Sequence, residues 1–172
     1  MNKTFKSLIE NYQGNVKIAE QTFSNEIISD KTLHSCTFLK LIFLNCSFDK
    51  VDFGGTSFQI CEFNGCTFSE VSLLRAEIEC CRFDNCKITD SNLNKADFDE
   101  TSLNNCQFKK IFLLEGFFTE CQINESNFED IEGATAIIDS QISKFDRSKG
   151  NRSINLKGSL KFNNAVVHQP QL

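Results

Sequence analysis

One spacing dominates this sequence: from Ile18 to Phe128, every fifth residue is Phe, Leu or Ile. The series holds 23 positions without an exception, and 13 of them are Phe, 5 Leu and 5 Ile. An α-helix repeats after about 3.6 residues and a β-strand after every second residue, so neither produces a period of five. A fixed period kept over most of a 172-residue chain indicates a repeat architecture.

A second column of residues lies two positions before the first and holds mainly small side chains. Eight of the nine cysteines share this register. They are Cys36, Cys46, Cys61, Cys66, Cys81, Cys86, Cys106 and Cys121. Most of the remaining positions hold Ala, Ser, Thr or Val, so the unit is small-x-large-x-x, as in residues 45–49 and 95–99.

A longer rhythm appears at every fourth unit, which is a step of 20 residues. One small-residue column along this step consists of Cys46, Cys66, Cys86 and Cys106. One turn column consists of Asn25, Asn45, Gly65, Asn85 and Asn105. Asn and Gly tolerate the tight corner conformations that bulkier residues resist. We therefore expect four units per coil, which is a square solenoid.

The unit resembles that of the pentapeptide-repeat family, whose usual pattern is Ala-(Asp/Asn)-Leu-x-x. Here Cys-x-Phe largely replaces Ala-x-Leu, and the resemblance covers about two thirds of the chain. It implies an all-β fold, a right-handed quadrilateral parallel β-helix with a short N-terminal cap and an irregular C-terminal cap. We expect a cap over residues 1–15, the solenoid over 16–142, and a basic tail or cap over 143–172.

Both ends of the solenoid depart from the pattern. Thr4 is expected to cap a short amphipathic helix that covers the first coil. In that coil Gln21, Glu26 and Lys31 occupy small-residue positions, which predicts a splayed or partly open coil.

At the C-terminal end, Gly133 stands where a large apolar residue is due. Beyond it, residues 154–156 and 160–162 alternate around Lys157-Gly158-Ser159, which predicts a hairpin.

The cysteines raise the question of metal or disulfides. Four thiolates of a zinc site converge on one point, whereas a straight column of cysteines does not, and no Cys-x-x-Cys is present. Cys is readily buried as a small residue, so we expect structural thiols, with disulfides or a metal as the alternative. Cys80 lies at an outward corner position and should be the most reactive thiol.

Motifs for chemistry are otherwise lacking in the sequence. There are two histidines, far apart, and no nucleotide-binding loop or zinc-protease motif. We expect a protein that is not an enzyme, with no cofactor, no metal and no catalytic residue. The polar N-terminus and the lack of a long apolar segment predict a cytoplasmic protein that does not enter a membrane.

Charge is distributed unevenly along the chain. The net charge is −5, but residues 143–172 hold six Lys or Arg and one Asp or Glu, a net charge of +5. The rod is therefore acidic, and the four-sided arrangement gathers a set of carboxylates on one side. This acidic set is Glu77, Glu79, Asp97, Asp99, Glu100 and Glu120. It is either a solvated surface or a binding surface.

A group of apolar residues occupies outward positions near the C-terminal end of the rod. It consists of Phe112, Leu114, Phe117 and Ile137. Contiguous exposed apolar surface usually marks a contact site. The chain's own tail could pack there, or the group could bind a partner or form a homodimer through the C-terminal end.

These features predict a protein-interaction module or scaffold. The alternative comes from the family resemblance, since its Qnr-type members resemble DNA in size, shape and charge, and bind DNA gyrase or topoisomerase IV. They shield these type II topoisomerases from quinolones or toxins. An acidic rod competes with DNA for basic surfaces, so we expect no direct binding of nucleic acid. This chain lacks the dimerisation helix and the long loop of that group.

Overall fold

The computed structural model shows a four-sided parallel β-solenoid of about six coils, which confirms the predicted all-β fold class. Three sides are parallel sheets, and the fourth is a row of turns joined by single bridges. The structure describes the backbone of residues 4–10, 14–133, 135–138, 141–143, 154–157 and 161–162, and the side chains of residues 4–10 and 14–133.

The strands return to the same side at every third element. Side 1 consists of β1 (Lys17–Ala19), β4 (Thr37–Leu39), β7 (Ser57–Gln59), β10 (Glu77–Glu79), β13 (Asp97–Asp99), β16 (Gly116–Thr119), β19 (Thr135–Ile138) and β21 (Ile154–Lys157). Side 2 consists of β2 (Thr22–Ser24), β5 (Ile42–Leu44), β8 (Glu62–Asn64), β11 (Arg82–Asp84), β14 (Ser102–Asn104), β17 (Gln122–Asn124), β20 (Gln141–Ser143) and β22 (Lys161–Phe162). Side 3 consists of β3 (Ile27–Ser29), β6 (Ser47–Asp49), β9 (Thr67–Ser69), β12 (Lys87–Asn92), β15 (Gln107–Phe112) and β18 (Asn127–Glu132). Side 4 lies between side 3 and the next strand of side 1, and Thr32, Asp52, Ser72 and Asn92 bridge its coils.

The large-residue column forms the core. Parallel pairing places each member beside the residue 20 positions later, as in Phe43 beside Phe63 and Phe63 beside Phe83. These rings stack with centroids 5.1 and 4.7 Å apart. Each fully buried ring contributes about 1.5–3 kcal/mol by removal from water, so the column is the main source of stability.

The small-residue column faces inward as well, and it bonds the corners of successive coils. Cys81 Sγ accepts from Cys61 N at 3.3 Å and donates to Phe58 O at 3.4 Å. Thr101 Oγ1 does the same one coil later, accepting from Cys81 N at 3.2 Å. All nine cysteines are free. Burial raises the pKa of Cys121 to about 12, so this thiol stays protonated and unreactive.

The corners all use one backbone conformation. Every fifth residue from Asn15 to Asp130 has a φ between 48° and 65°, in the left-handed region. Asn and Gly are suited to it, but Lys, Glu and even the β-branched Ile60 adopt it too. Most of these corner amides are bonded to the next coil, as Ile60 N is to Glu79 O at 3.0 Å. The coil's hydrogen bonds therefore impose the conformation on residues that disfavour it.

A short helix closes the N-terminal end of the solenoid. Helix α1 (Phe5–Ile9) begins after the predicted N-cap, Thr4. The Phe5 ring is fully buried, 5.2 Å from that of Phe23 and 5.1 Å from that of Phe43. The Glu26 carboxylate accepts from two first-turn N–H groups of the helix at 2.8 and 3.0 Å.

This cap corrects the prediction of a splayed first coil at Gln21, Glu26 and Lys31. Strands β1, β2 and β3 pair in register with β4, β5 and β6, so the first coil is closed. Glu26 takes a small-residue position because the helix lies above it and offers donors that the carboxylate binds.

The C-terminal end departs from the sequence prediction as well. Residues 154–157 pair in parallel with β19, and residues 161–162 pair in parallel with β20. The predicted hairpin is therefore wrong, because both segments continue sheets of the solenoid. The offset between coils shortens from 20 to 19 residues where Gly116 meets Thr135. Gly133 (φ 110°) allows this, since a Cβ there would lie 2.8 Å from the Leu113 backbone.

Replacing Ile60 by Asn should stabilise the protein, because Asn adopts the left-handed conformation more readily than a β-branched residue. We expect a gain of about 1 kcal/mol in the free energy of unfolding, measured by urea denaturation. Ile27→Asn is the matched control, since Ile27 is 70% exposed but lies in a strand. An equal gain in both variants would show that surface polarity, not backbone conformation, is responsible.

Candidate interaction surface

The acidic set lies on side 1 and the corner that follows it. Glu77 and Glu79 are the outward residues of β10, and Asp97 and Asp99 are those of β13. Parallel pairing sets Glu77 beside Asp97 and Glu79 beside Asp99. Glu100 and Glu120 occupy the corner positions of successive coils. The structure thus brings all six residues to one stretch of the rod.

Among the residues that the structure describes, these carboxylates lack the ion pairs that other charges on the rod have. Four lysine–carboxylate ion pairs join residues 20 apart in the described part of the chain. They are Glu20–Lys40, Asp90–Lys110, Lys95–Glu115 and Lys109–Glu129. The acidic set instead places like charges one coil apart. Partial burial and the charges of Asp99 and Glu77 raise the pKa of Asp97, which is the cost of this arrangement.

The run of carboxylates on the strands is short. On its N-terminal side β10 pairs with Ser57 and Gln59, and on its C-terminal side β13 pairs with Phe117 and Thr119. Strand carboxylates therefore span two coils, and a continuous negative side along the rod is not present among the described residues.

Cys80 lies next to this acidic set, exposed at its corner as predicted. Its Sγ lies 3.7 Å from Glu100 Oε2. Desolvation and then the charges of Glu100, Glu79 and Asp99 raise the pKa of Cys80. The thiolate fraction falls accordingly, so Cys80 is less reactive than its exposure alone predicts.

The apolar group spans the corner between sides 4 and 1. Strand β15 passes the corner at Lys110, so its last residue, Phe112, lies on side 4 with Leu114, whereas Phe117 lies on side 1. The three side chains are 50%, 46% and 44% exposed. We call these three residues the apolar corner. The backbone of Ile137 lies in β19 in register with Phe118, and its side chain is outside the described part of the structure.

A shallow pocket lies at each end of the apolar corner. The first, of about 580 Å³, is called the Phe112 pocket. It is lined by Asp90, Lys110, Ile111, Phe112, Asp130, Ile131 and Glu132. The second, of about 570 Å³, is called the Phe117 pocket. It is lined by Arg75, Ala76, Glu77, Lys95, Asp97, Glu115 and Phe117.

Each exposed ring stands beside a carboxylate in the backbone register. Phe112 pairs with Glu132, and Phe117 pairs with Asp97. The apolar corner and the acidic set are therefore contiguous at Asp97. Sequence analysis missed Asp130, Glu132 and the basic residues of both pockets, although the 20-residue step places Glu132 after Phe112 and Phe117 after Asp97.

A polar pair lies toward the N-terminal end of side 4. His34 Nε2 lies 2.6 Å from Asp52 Oδ2, and Asp52 Oδ1 accepts from Gly54 N at 3.0 Å. Desolvation acts to raise the pKa of Asp52, but these hydrogen bonds outweigh it and hold the pKa below its usual value. Over the described residues, no three His, Cys, Asp or Glu side chains group as metal ligands would.

Comparison with known proteins identifies the repeats. Residues 63–107 match the family described as "Pentapeptide repeats (9 copies)". This match identifies the central units of the solenoid as pentapeptide repeats, and the coils on either side of them continue the same sheets. No curated protein matches the sequence. Nor is any helix in the described segments long and apolar enough to cross a bilayer.

Solved structures that are similar to this chain include those of HetL and QnrB1. HetL, a pentapeptide repeat protein involved in heterocyst differentiation regulation from the cyanobacterium Nostoc sp. strain PCC 7120, is 11% identical with a TM-score of 0.41. The match covers 78% of this chain and 63% of HetL. Full-length QnrB1, a plasmid-mediated fluoroquinolone resistance protein, is 14% identical with a TM-score of 0.42, over 83% of this chain and 94% of QnrB1. Neither likeness is close enough to transfer a function.

Replacing Asp97 by Asn should stabilise the protein at neutral pH. Because the pKa of Asp97 is raised in the folded state, its ionisation opposes folding above that pKa and has no effect once both states are protonated. We expect a gain of about 0.2–1 kcal/mol at neutral pH that disappears in acid, measured by urea denaturation at several pH values. Glu62→Gln, an exposed glutamate on side 2, should give no comparable gain. A loss of stability in D97N would contradict the expected repulsion.

Proposed function

We propose that the protein is a non-catalytic binding rod that contacts a protein partner through the apolar corner. The observation that carries this proposal is the joint exposure of Phe112, Leu114 and Phe117 on one corner. The other exposed large apolar side chains of the described residues, Ile27, Ile60 and Leu74, lie on earlier coils and are spaced apart from one another along the chain. A solenoid keeps its large residues inside, so outward rings are unfavourable in the free protein and gain from being covered.

The outward rings of Phe112 and Phe117 are not needed to stabilise the fold of the rod. Phe112 and Phe117 flank the inward Leu113 and Phe118, which fill the large-residue column in their place. The corner is rigid, because Leu114 N donates to Asn94 Oδ1 at 2.7 Å and Phe117 N to Ala96 O at 3.0 Å. A preformed apolar surface loses little conformational entropy when it binds.

Site-specific photo-cross-linking tests this proposal. A benzophenone amino acid at position 112 or 117, introduced in the cells that make the protein, should cross-link to one discrete protein. The same group at position 27 is the matched control, because Ile27 is exposed but lies in the first coil. F112S together with F117S should abolish capture by a probe at position 114. Identical products from all positions, or none, would contradict the proposal.

A second candidate function is mimicry of DNA toward a type II topoisomerase. It is favoured by the six carboxylates of the acidic set, which have no ion pair with the described residues and repel one another at Asp97. Unpaired charge that destabilises the rod is retained more readily if a basic surface binds it. The short extent of the strand carboxylates limits this candidate to a local contact.

A supercoiling assay distinguishes this second function. DNA gyrase is titrated with the protein, with and without a quinolone. The wild type should inhibit supercoiling or protect it from the drug, and the variant with Glu77, Glu79, Asp97 and Asp99 changed to Lys should not. A control with Glu10, Asp30, Glu62 and Glu70 changed to Lys alters the net charge equally elsewhere. Equal loss in both variants would mean that only net charge matters, and no effect of the wild type would exclude this function for gyrase.

A further inference from the structure

The two pockets of the apolar corner differ in charge, and this difference indicates what each can bind. The Phe112 pocket holds three carboxylates and one base, Lys110, whose Nζ lies 3.4 Å from Asp90 Oδ1. Asp130 and Glu132 are left without an ion pair to any described residue. The Phe117 pocket holds three carboxylates and two bases, of which Lys95 pairs with Glu115 at 3.2 Å. Its other base, Arg75, has no ion pair with a described residue and opposes entry of a cation.

In the Phe112 pocket an exposed aromatic ring lies beside free carboxylates. Phe112 is half exposed and is the register partner of Glu132, one strand spacing away on the neighbouring coil. Asp130 lies at the corner preceding side 4, in the same column as Lys110 and Asp90. Buried Ile111 and Ile131 form the apolar floor.

This combination is complementary to one kind of side chain. A guanidinium is planar, stacks on an aromatic ring and donates two parallel hydrogen bonds to a carboxylate. A neutral apolar side chain would cover the ring but leave two carboxylates partly desolvated and unpaired, which is unfavourable. An acidic partner would be repelled.

We propose that the Phe112 pocket binds an arginine side chain of a protein partner, stacked on Phe112 and paired with Glu132 and Asp130, while Leu114 contacts an apolar residue beside that arginine. This inference rests on the proposed function, since it names the chemistry of the partner segment at the same corner. The Phe117 pocket, with Arg75 at its edge, contributes apolar contact only.

Titration of the isotope-labelled full-length protein with synthetic peptides tests the proposal, because amide shifts in NMR spectra detect weak binding. The probe is a ten-residue Gly/Ser peptide with a central Arg-Leu, and its control has Gln in place of Arg. The Arg peptide should shift the signals of residues 111–114 and 130–132, and should bind about tenfold more tightly than the Gln peptide. Equal binding of the two peptides, or no shifts at these residues at millimolar peptide, would overturn the inference.

Three variants separate the contribution of the Phe112 ring to binding from that of the Glu132 charge. F112L keeps an apolar side chain but removes the ring, and it should weaken binding of the Arg peptide several-fold. E132Q removes a charge and should weaken binding similarly while reducing its dependence on salt. E62Q is the matched control and should change the affinity less than about twofold, since Glu62 is an exposed glutamate on side 2, outside the Phe112 pocket. Unchanged affinity in both F112L and E132Q would refute the pocket.

Further outcomes show whether the chain's own tail occupies the pocket, and whether the arginine proposal or the proposed function is the one that fails. If neutralising Lys144, Arg147, Lys149 and Arg152 by Gln shifts the Phe112 and Glu132 signals without peptide, the chain's own tail occupies the pocket and the inference is wrong. If the Arg peptide fails to bind while cross-linking through position 112 succeeds, the arginine proposal fails and the binding rod stands. Loss of cross-linking alone would remove the proposed function instead.

Discussion

The hydrogen bond between one coil and the next is the interaction on which the rest of this protein depends. Parallel strands hold successive coils about 4.8 Å apart, and in the coils that precede Gly133 the register makes each strand residue the neighbour of the one 20 positions later. The same contact stacks Phe63 on Phe83 inside the rod and sets Glu77 beside Asp97 outside it. The same 20-residue register therefore determines which residues are neighbours in the core and on the surface. Residues of one type that recur at this interval form a continuous row on the outside of the rod.

The hydrogen bonds between coils also impose a strained backbone conformation at each corner. Lys, Glu and Ile60 adopt a left-handed backbone that they would avoid in isolation, because the ladder on both sides needs the chain to turn there. Polar atoms of the small column reduce the cost, since Thr101 and Cys81 satisfy corner groups that no strand reaches. The column thus accepts Cys, Ser and Thr, whose side chains hydrogen-bond to the neighbouring coil, and also apolar residues such as Val71 and Ala76.

The period of five and the 20-residue step were together sufficient to predict the solenoid, its four sides and its inward columns, because each of these follows directly from spacing. It was insufficient where another element replaces the neighbouring coil. Glu26 looked like a defect in the small column, yet it binds the helix above it. The hairpin prediction failed because Gly133 shortens a coil by one residue, and local alternation cannot reveal a pairing with residues 19 positions earlier. At the candidate site, register was predictable, whereas exposure and ion pairing depend on side-chain geometry.

The outward residues of a solenoid are not constrained by packing in its core. An outward residue can change without disturbing the inward columns. In the ion pairs Asp90–Lys110 and Lys95–Glu115, residues of opposite charge lie beside each other on neighbouring coils and neutralise each other. The stretch around Asp97, Phe112 and Phe117 does the opposite, with like charges adjacent and rings exposed. Both features are unfavourable in the free rod and both are relieved by a bound partner that is basic and apolar. Because the two features coincide on one corner, we propose binding to a partner, more than solubility, as the physical reason for them.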